Sequence, residues 1–280
     1  MDEEQRVIEQ AASWLRDADS LLVTAGAGMG VDSGLPDFRG NEGLWRAYPP
    51  LGAAQITFES MANPASFHED PALAWGFYGH RLNLYRKIEP HAGFAILRRW
   101  ADRMPHGAFV RTSNVDGQFQ RAGFAEDRVA ECHGSIHYMQ CMLPCCSRIW
   151  PAPGFKPQVD EQACRLICAL PRCPECGGVA RPNVLMFNDA VWLSRRTDPQ
   201  EASLQRWSAS VGRPVVVEIG AGTALPTIRR FSERYGPRVI RINAREPQID
   251  PAKGIGIQGS ALATLIALDH ALDQISGTQA

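Results

Sequence analysis

The chain has 280 residues, with 29 basic side chains from Lys and Arg against 30 acidic ones from Asp and Glu. This balance gives no broad electrostatic field, so we expect neither nucleic acid nor a membrane as a direct partner. No run approaches the ~20 apolar residues of a membrane span. The N-terminus, MDEEQRVIEQ, is acidic where a secretory signal would be basic and then apolar. The sequence predicts a cytoplasmic protein with one large domain and one small module.

The first half of the chain alternates helices with strands. Residues 3–17 have apolar side chains at helical spacing, and the apolar run at residues 21–24 predicts a buried strand that ends in glycines. Two helices are expected within residues 73–103, separated near Pro90, and strands are expected at residues 108–112 and 129–132.

The second half contains an insertion followed by the same alternation. Residues 138–182 have no clean period and are rich in proline, glycine and cysteine. The elements predicted after it are strands at 183–187, 214–219 and 239–243, and helices at 201–211 and 227–235.

This alternation predicts an α/β fold, a Rossmann-like parallel sheet with helices on both faces. We expect residues 1–137 and 183–280 to form it, and residues 138–182 to form a small insertion whose domain also includes helices from about 41–90. Ligands of such sheets bind beyond the carboxyl ends of the strands.

The loop after the first strand has the sequence TAGAGMGVDSGLPDFRG. Its glycines Gly26, Gly28 and Gly30 would let the backbone approach a pyrophosphate, with the amides of the next helix directed at it. The same glycines also suit a tight turn between a strand and a helix. A plain turn, however, has no use for the acid, the aromatic ring and the guanidinium that end the loop, Asp37, Phe38 and Arg39.

Two further segments, TSNVDGQFQRAGF and ECHGS, follow predicted strands and should open onto the same crevice. Asn114 and Asp116 in the first segment suit the hydroxyls of a ribose. His133 in the second can take a proton near neutral pH, as a general base must. A lone histidine is more often structural, but a following glycine and a position at a strand end favour the catalytic interpretation.

These motifs together resemble the sirtuin family of NAD-dependent protein lysine deacylases. The match runs in order through GAG with PDFRG, SNVD with AGF, CHGS, a paired-cysteine insertion closed by CGGVARP, and then IGAG and IN. The resemblance implies NAD and Zn²⁺ as bound groups and an acylated-lysine protein or peptide as substrate. It also implies that the acyl oxygen attacks the anomeric carbon as nicotinamide leaves, and that the acyl group then migrates to ADP-ribose.

The resemblance also implies a role for individual residues. Asn114 and Asp116 would hold the nicotinamide ribose and carboxamide, and His133 would be the base. The remaining residues expected at the cofactor are Gly26, Ala27, Gly28, Asp37, Phe38, Arg39 and Ser113, with Gly220, Ala221, Gly222 and Asn243 at the adenosine half.

The chain departs from the family pattern around the cofactor and the substrate. Gly30 and Ser113 stand where the family has serine and glutamine, and Phe187, Asn188 and Asp189 replace the usual Phe-Gly-Glu. The family's Gly-Thr-Ser loop is Gly220, Ala221, Gly222, which removes two hydroxyls. Two alternatives to deacylation therefore stay open: NAD glycohydrolysis or ADP-ribosyl transfer on the same fold, and nucleotide sensing with weak catalysis.

Seven of the eight cysteines lie between Cys141 and Cys176. In a chain without an export signal, this clustering favours metal ligands over disulfides. Cys173 and Cys176 form a Cys-Pro-Glu-Cys knuckle typical of zinc sites. Cys141 and Cys145 are the expected other pair, with Cys146 as an alternate and with Cys164 and Cys168 as a competing pair. Four thiolates would make the zinc structural.

Tyr78 and Arg81 are three residues apart in WGFYGHRLNLYR, so they share one helix face. Arg81 could be a surface arginine whose stem packs on an aromatic neighbour. The pair also resembles the Tyr-x-x-Arg of sirtuins that accept succinyl-lysine and related acidic acyl groups. On that interpretation the enzyme is a desuccinylase or demalonylase as well as a deacetylase, and Arg81 binds the distal carboxylate.

Overall fold

The structure is a computed structural model that describes residues 3–37, 40–143 and 145–277. The strands are β1 (Ser20–Ala25), β2 (Ala108–Thr112), β3 (Val129–Glu131), β4 (Gly134–Cys141), β5 (Ile149–Pro151), β6 (Val159–Asp160), β7 (Arg165–Leu166), β8 (Ala180–Val184), β9 (Pro214–Ile219), β10 (Val239–Asn243) and β11 (Gly254–Gln258). The α-helices are α1 (Glu3–Arg16), α2 (Gly40–Ala47), α3 (Pro49–Ala53), α4 (Phe58–Met61), α5 (Pro64–Glu69), α6 (Pro71–Lys87), α7 (Ala92–Asp102), α8 (Gln118–Arg121), α9 (Thr197–Ser210), α10 (Thr227–Ser232) and α11 (Ala261–Gly277).

The main sheet has six strands in the order β11-β10-β9-β1-β2-β3. Every neighbouring pair is parallel, so the predicted Rossmann-like sheet is confirmed. The chain leaves β1 toward β2 on one side and later fills β9 and β10 on the other. The loops after β1, β2 and β9 consequently meet at one edge of the sheet, at its topological switch point.

Both faces of the main sheet are covered by helices. Side chains alternate between the faces along each strand, so Leu21 and Val23 pack toward α1, α7 and α11, whereas Leu22 packs toward α9 with Trp207. The central strands β1 and β9 have continuous apolar runs because both of their faces are buried. This is why the sequence predicts them well.

A second core joins the small antiparallel sheet β5-β4-β8 to helices α2 to α6. Trp75 on α6 donates its indole N–H to the Ala180 carbonyl over 2.8 Å. A Cβ atom on Gly76 would lie 2.0 Å from the Cys164 carbonyl oxygen, so α6 lies directly on the insertion. These contacts support our proposal that helices near 41–90 and the insertion form one unit.

Several predicted elements differ in the structure. The strand expected at 183–187 is β8, Ala180–Val184, and it pairs antiparallel with β4 instead of joining the main sheet. Strand β4 begins at Gly134, before the expected insertion. The helix expected at 201–211 begins at Thr197, and that expected at 227–235 is α10 followed by a 3-10 turn. Among the described residues, no helix is long and apolar enough to span a membrane.

Candidate active site

The loop after β1 packs directly on the loop after β9. The Gly26 N–H donates to the Ile219 carbonyl over 2.9 Å, and the Gly28 N–H donates to the Gly220 carbonyl over 3.1 Å. A Cβ atom on Gly28 would lie 2.6 Å from the Gly220 Cα. Gly220 has φ +63°, which favours glycine. The close approach of two backbones is therefore sufficient reason for glycine at these positions.

The helix expected after this loop is a 3-10 helix, Ala27–Ser33, that ends at Gly34 with φ 92°. Gly28, Gly30 and Val31 within it have low α-helix propensity, and a short 3-10 segment is a common alternative. Asp32 within it accepts the Leu262 N–H at the start of α11 over 2.7 Å. The glycine-rich loop is thus held by both β9 and α11.

Asn114 joins the loop after β2 to the loop after β1. Its Nδ2 donates to the Gly26 carbonyl over 2.9 Å, and its backbone N–H donates to the Thr112 hydroxyl over 3.0 Å. The neighbouring Ser113 N–H donates to the Ala25 carbonyl over 3.1 Å. These contacts leave Asn114 Oδ1 as an acceptor without a partner among the described residues.

Asp116 is a buried carboxyl group in the same loop, with 8% of the residue exposed. Its Oδ1 accepts the Gln118 N–H over 2.9 Å. Burial raises the pKa of Asp116 to about 6, and the nearby negative charge of Glu131 adds to the increase. Asp116 can therefore change charge in the physiological range, as groups at binding sites often do.

His133 lies in the turn between β3 and β4, where its carbonyl accepts the Leu185 N–H over 2.9 Å. Burial lowers the pKa of the imidazole, and the charge of Arg111 lowers it further. A hydrogen bond with the Ser113 backbone opposes both effects. The lowered pKa keeps the ring neutral near pH 7, the form in which it can accept a proton.

Asn243 stabilises the expected adenosine end from within the protein. Its Nδ2 donates to the Ala221 carbonyl over 2.8 Å, and its Oδ1 accepts the N–H groups of Arg245 and Glu246, each over 3.0 Å. Asn243 thus shapes the loop after β9. A Cβ atom on Gly222 would meet nothing within 4 Å. The structure therefore has room at this position for the hydroxyl-bearing side chain of the family's Gly-Thr-Ser loop.

A cavity of about 630 Å³ opens at this edge of the sheet, a size typical of small-molecule sites. The predicted residues that line it are Gly26, Ala27, Asp37, Tyr78, Arg81, Ser113, Asn114, Asp116, His133, Gly220, Ala221 and Gly222. Gly28 and Asn243 line an adjoining smaller cavity, which shares Asp37 and Gly220 with the first. Phe38 and Arg39 lie outside the described residues.

The large cavity is also lined by a buried guanidinium group. Arg81 is 8% exposed and donates from Nε and Nη2 to the Tyr85 hydroxyl over 3.0 and 2.7 Å. Its Cζ lies 5.8 Å from the centroid of the Tyr78 ring. Burial raises the pKa of Tyr78 to about 12, so its hydroxyl stays protonated. Tyr85 was not predicted from the sequence, although its position four residues after Arg81 is itself a signal of contact on a helix.

The four predicted zinc cysteines converge at the end of the small sheet. Their Sγ atoms all lie within 4.8 Å of one another, with 3.7 Å between Cys141 and Cys176 and 3.6 Å between Cys145 and Cys173. A tetrahedral zinc with Zn–S bonds of about 2.3 Å needs sulfur separations of about 3.8 Å, so the thiols fit this metal.

The alternate cysteines are placed differently. Cys164 is 1% exposed and packs in the second core. The Cys168 Sγ accepts the Gln158 N–H over 3.4 Å. Within the described parts of the chain, neither of these residues nor Cys146 belongs to the four-cysteine cluster.

Asp189, one of the departures from the family pattern, forms a buried ion pair with Arg181. Both side chains are 0% exposed, and both carboxylate oxygens lie 2.8 Å from the guanidinium. Asp189 also accepts the Met186 N–H over 3.3 Å. The pair therefore holds the segment that follows β8, where Met186 and Phe187 line the cavity.

Comparison with known proteins identifies the family. Residues 26–205, more than half of the chain, match the model of the Sir2 family. The chain belongs to the Sir2 family. Among curated relatives of this Sir2 protein, NAD-dependent protein deacylase 2 of Pyrobaculum aerophilum is 34% identical over 89% of the chain and 90% of the relative. The NAD-dependent protein deacylase of Thermococcus kodakarensis is 30% identical, over 91% of each chain.

Solved structures agree on the fold of this Sir2 protein. A Sir2 homologue in complex with NAD matches with a TM-score of 0.72 and 22% identity, over 95% of this chain and 94% of that one. A Sir2 protein bound to a myristoylated histone peptide matches with a TM-score of 0.61 and 19% identity, over 98% and 99% of the chains.

Proposed function

We propose that the chain is an NAD-dependent protein lysine deacylase that releases nicotinamide and O-acyl-ADP-ribose. One observation carries the proposal. The residues expected at the nicotinamide, Asn114, Asp116 and His133, line the same cavity as the residues expected at the acyl group, Tyr78 and Arg81. A cofactor and an acyl-lysine that enter this cavity together would have their reacting groups next to each other.

The cavity residues then have separate roles. NAD, when bound, supplies the ribose that receives the acyl group as nicotinamide leaves. Asn114 Oδ1 accepts from a ribose hydroxyl, because its amide donor already binds the Gly26 carbonyl. Ionised Asp116 accepts from the carboxamide. His133, neutral because of its lowered pKa, takes a proton from the ribose.

The zinc would have a structural role. Cys141, Cys145, Cys173 and Cys176 together would supply four thiolates, which close a tetrahedral coordination sphere and leave no position for an activated water. The metal would hold the loop after β4 against the knuckle before β8. Those two strands flank the turn of His133 and the segment of Met186.

The enzyme would remove both acidic acyl groups and acetyl groups from the substrate lysine. Arg81 would bind the distal carboxylate of a succinyl or malonyl group, and Tyr78 would donate to it. In the Arg81→Met variant we expect the ratio of kcat/KM for succinyl-peptide over acetyl-peptide to fall by about ten- to a hundred-fold. An equal loss of both activities would instead show that Arg81 is structural.

The partners and the location remain predictions from the sequence. We expect an acylated-lysine protein or peptide as the partner, neither nucleic acid nor membrane as a direct one, and the cytoplasm as the place of action.

The proposal is tested by nicotinamide release. We expect release from NAD to depend on an acylated peptide and to stop when the same peptide has an unmodified lysine. Release without peptide would favour NAD glycohydrolysis or transfer to another nucleophile. Absence of release under every condition, from protein shown to bind NAD, would favour a sensing role.

A further inference from the structure

The Tyr85 side chain holds the cavity's guanidinium group in place. Tyr85 follows Arg81 by four residues on α6, so the two share a helix face. The Nε–H and Nη2–H groups of Arg81 converge on the Tyr85 oxygen, over 3.0 and 2.7 Å. The Arg81 Cζ also lies 5.2 Å from the Phe77 ring centroid and 5.4 Å from the Tyr85 ring centroid. The orientation of the guanidinium is therefore set before any substrate binds.

These bonds determine what the Tyr85 hydroxyl can still do. A phenol has one donor proton and an oxygen that can also accept. A guanidinium has only donors, so the Tyr85 oxygen accepts from Arg81 and the Tyr85 proton must be donated elsewhere. No acceptor for it is found among residues 3–37, 40–143 and 145–277, and Tyr85 is only 5% exposed. A buried donor without an acceptor is unfavourable, and Tyr85 lines the cavity.

We propose that Tyr85 is a specificity-determining residue, which fixes Arg81 with its oxygen and donates its proton to the distal carboxylate of an acidic acyl group. This inference rests on the proposed deacylase function. A carboxylate beside the guanidinium and the phenol would accept from both. An acetyl methyl group offers no acceptor, and a long apolar chain would leave the buried Tyr85 proton without an acceptor.

The test compares the Tyr85→Phe variant with the parent on succinyl- and acetyl-peptides of one sequence. Phenylalanine keeps the ring and removes only the hydroxyl. We expect the ratio of kcat/KM for succinyl over acetyl to fall at least ~10-fold, since a charge-assisted bond and the orientation of Arg81 are both lost. A ratio within about two-fold of the parent's would overturn the inference.

Tyr48→Phe is the matched control. Tyr48 is another buried tyrosine of the second core, and its hydroxyl bonds to His80 Nδ1 over 2.8 Å. It does not line the large cavity among the described residues. We expect this variant to keep the parent's acyl ratio. A loss of the ratio equal to that of Tyr85→Phe would show a general packing effect and overturn the inference.

A second measurement needs no variant. On the parent enzyme, a peptide whose succinyl carboxylate is replaced by the isosteric primary amide should have a kcat/KM at least ~10-fold lower than the succinyl-peptide. Equal rates for the acid and the amide would overturn the inference even if Tyr85→Phe does not fold. Nicotinamide release that responds to no acylated peptide would instead refute the deacylase function itself.

Discussion

His137 on β4 donates from its imidazole Nε2 to the backbone carbonyl of Asp116 over 2.8 Å. Its ring also packs on Gly117, where a Cβ atom would lie 2.9 Å from the His137 Cδ2. Gly117 has φ +71°, a conformation that glycine adopts readily. A strand of the small sheet thus holds the turn that presents Asp116, so the unit that carries the cysteine cluster also supports the loop after β2.

Asp116 should make NAD binding depend on pH. Its pKa of about 6, raised mainly by burial, means that the carboxyl is charged above pH 6 and neutral below it. If the carboxylate accepts a hydrogen bond from the carboxamide, KM for NAD should rise as pH falls from 7 to 5. Steady-state kinetics over this range measure the effect. Asp116→Asn should have a higher, flatter KM profile, and a parent profile as flat as the variant's would refute this role.

His133 should be essential for deacylation and dispensable for folding. We expect His133→Ala to lose at least ~100-fold in kcat, the usual scale for a general base, while NAD affinity and thermal stability stay near those of the parent. His106→Ala changes an exposed histidine and is the control. Undiminished peptide deacylation by the His133 variant would show that another group is the base.

Zinc should stabilise the small unit and not act in catalysis. We expect one equivalent of Zn²⁺ per chain by metal analysis of protein purified without chelator. Cys173→Ser should lower both zinc content and the unfolding temperature, because metal binding contributes directly to folding. Cys168→Ser, at a cysteine outside the cluster, is the matched control. Well under one equivalent in the parent, or equal losses in the two variants, would contradict the assignment.

The buried pair of Arg181 and Asp189 should be costly to break. Asp189→Asn would leave a guanidinium at 0% exposure without its anion, and removing one partner of a buried pair costs about 3–5 kcal/mol. Urea unfolding measures this loss. Arg103→Gln breaks an exposed pair with Asp273 and should cost about 1 kcal/mol or less. A similar small cost for Asp189→Asn would mean that the pair contributes little.

The fold was predictable where single elements carry a strong pattern. Strands β2, β9 and β10 have the predicted bounds because each is a short segment rich in buried apolar side chains. Strand β4 was missed because polar residues such as Gln140 are buried in it through hydrogen bonds to distant segments. Strand β11 is a short, glycine-rich edge strand, and neither it nor α11 was predicted.

Residues that line the cavity were predictable at strand ends and less so where their contacts are distant in sequence. His133, Asn114 and Asp116 line one cavity because the carboxyl ends of parallel strands share an edge. Glycine is required at position 28 because the backbone of Gly220 lies against it. That contact is distant in sequence, so the residues around Gly28 do not predict it. Tyr85 was not predicted because the Tyr-x-x-Arg motif ends at Arg81, and the contact between Arg81 and Tyr85 lies one helical turn beyond it.

The fate of the acyl group tests the central claim most directly. The protein is incubated with NAD and an acylated peptide, and the products are identified by mass spectrometry. Our account predicts O-acyl-ADP-ribose in equal amount to nicotinamide and deacylated peptide. Nicotinamide together with unmodified ADP-ribose and an intact acylated peptide would contradict it, because NAD would then be cleaved without acyl transfer.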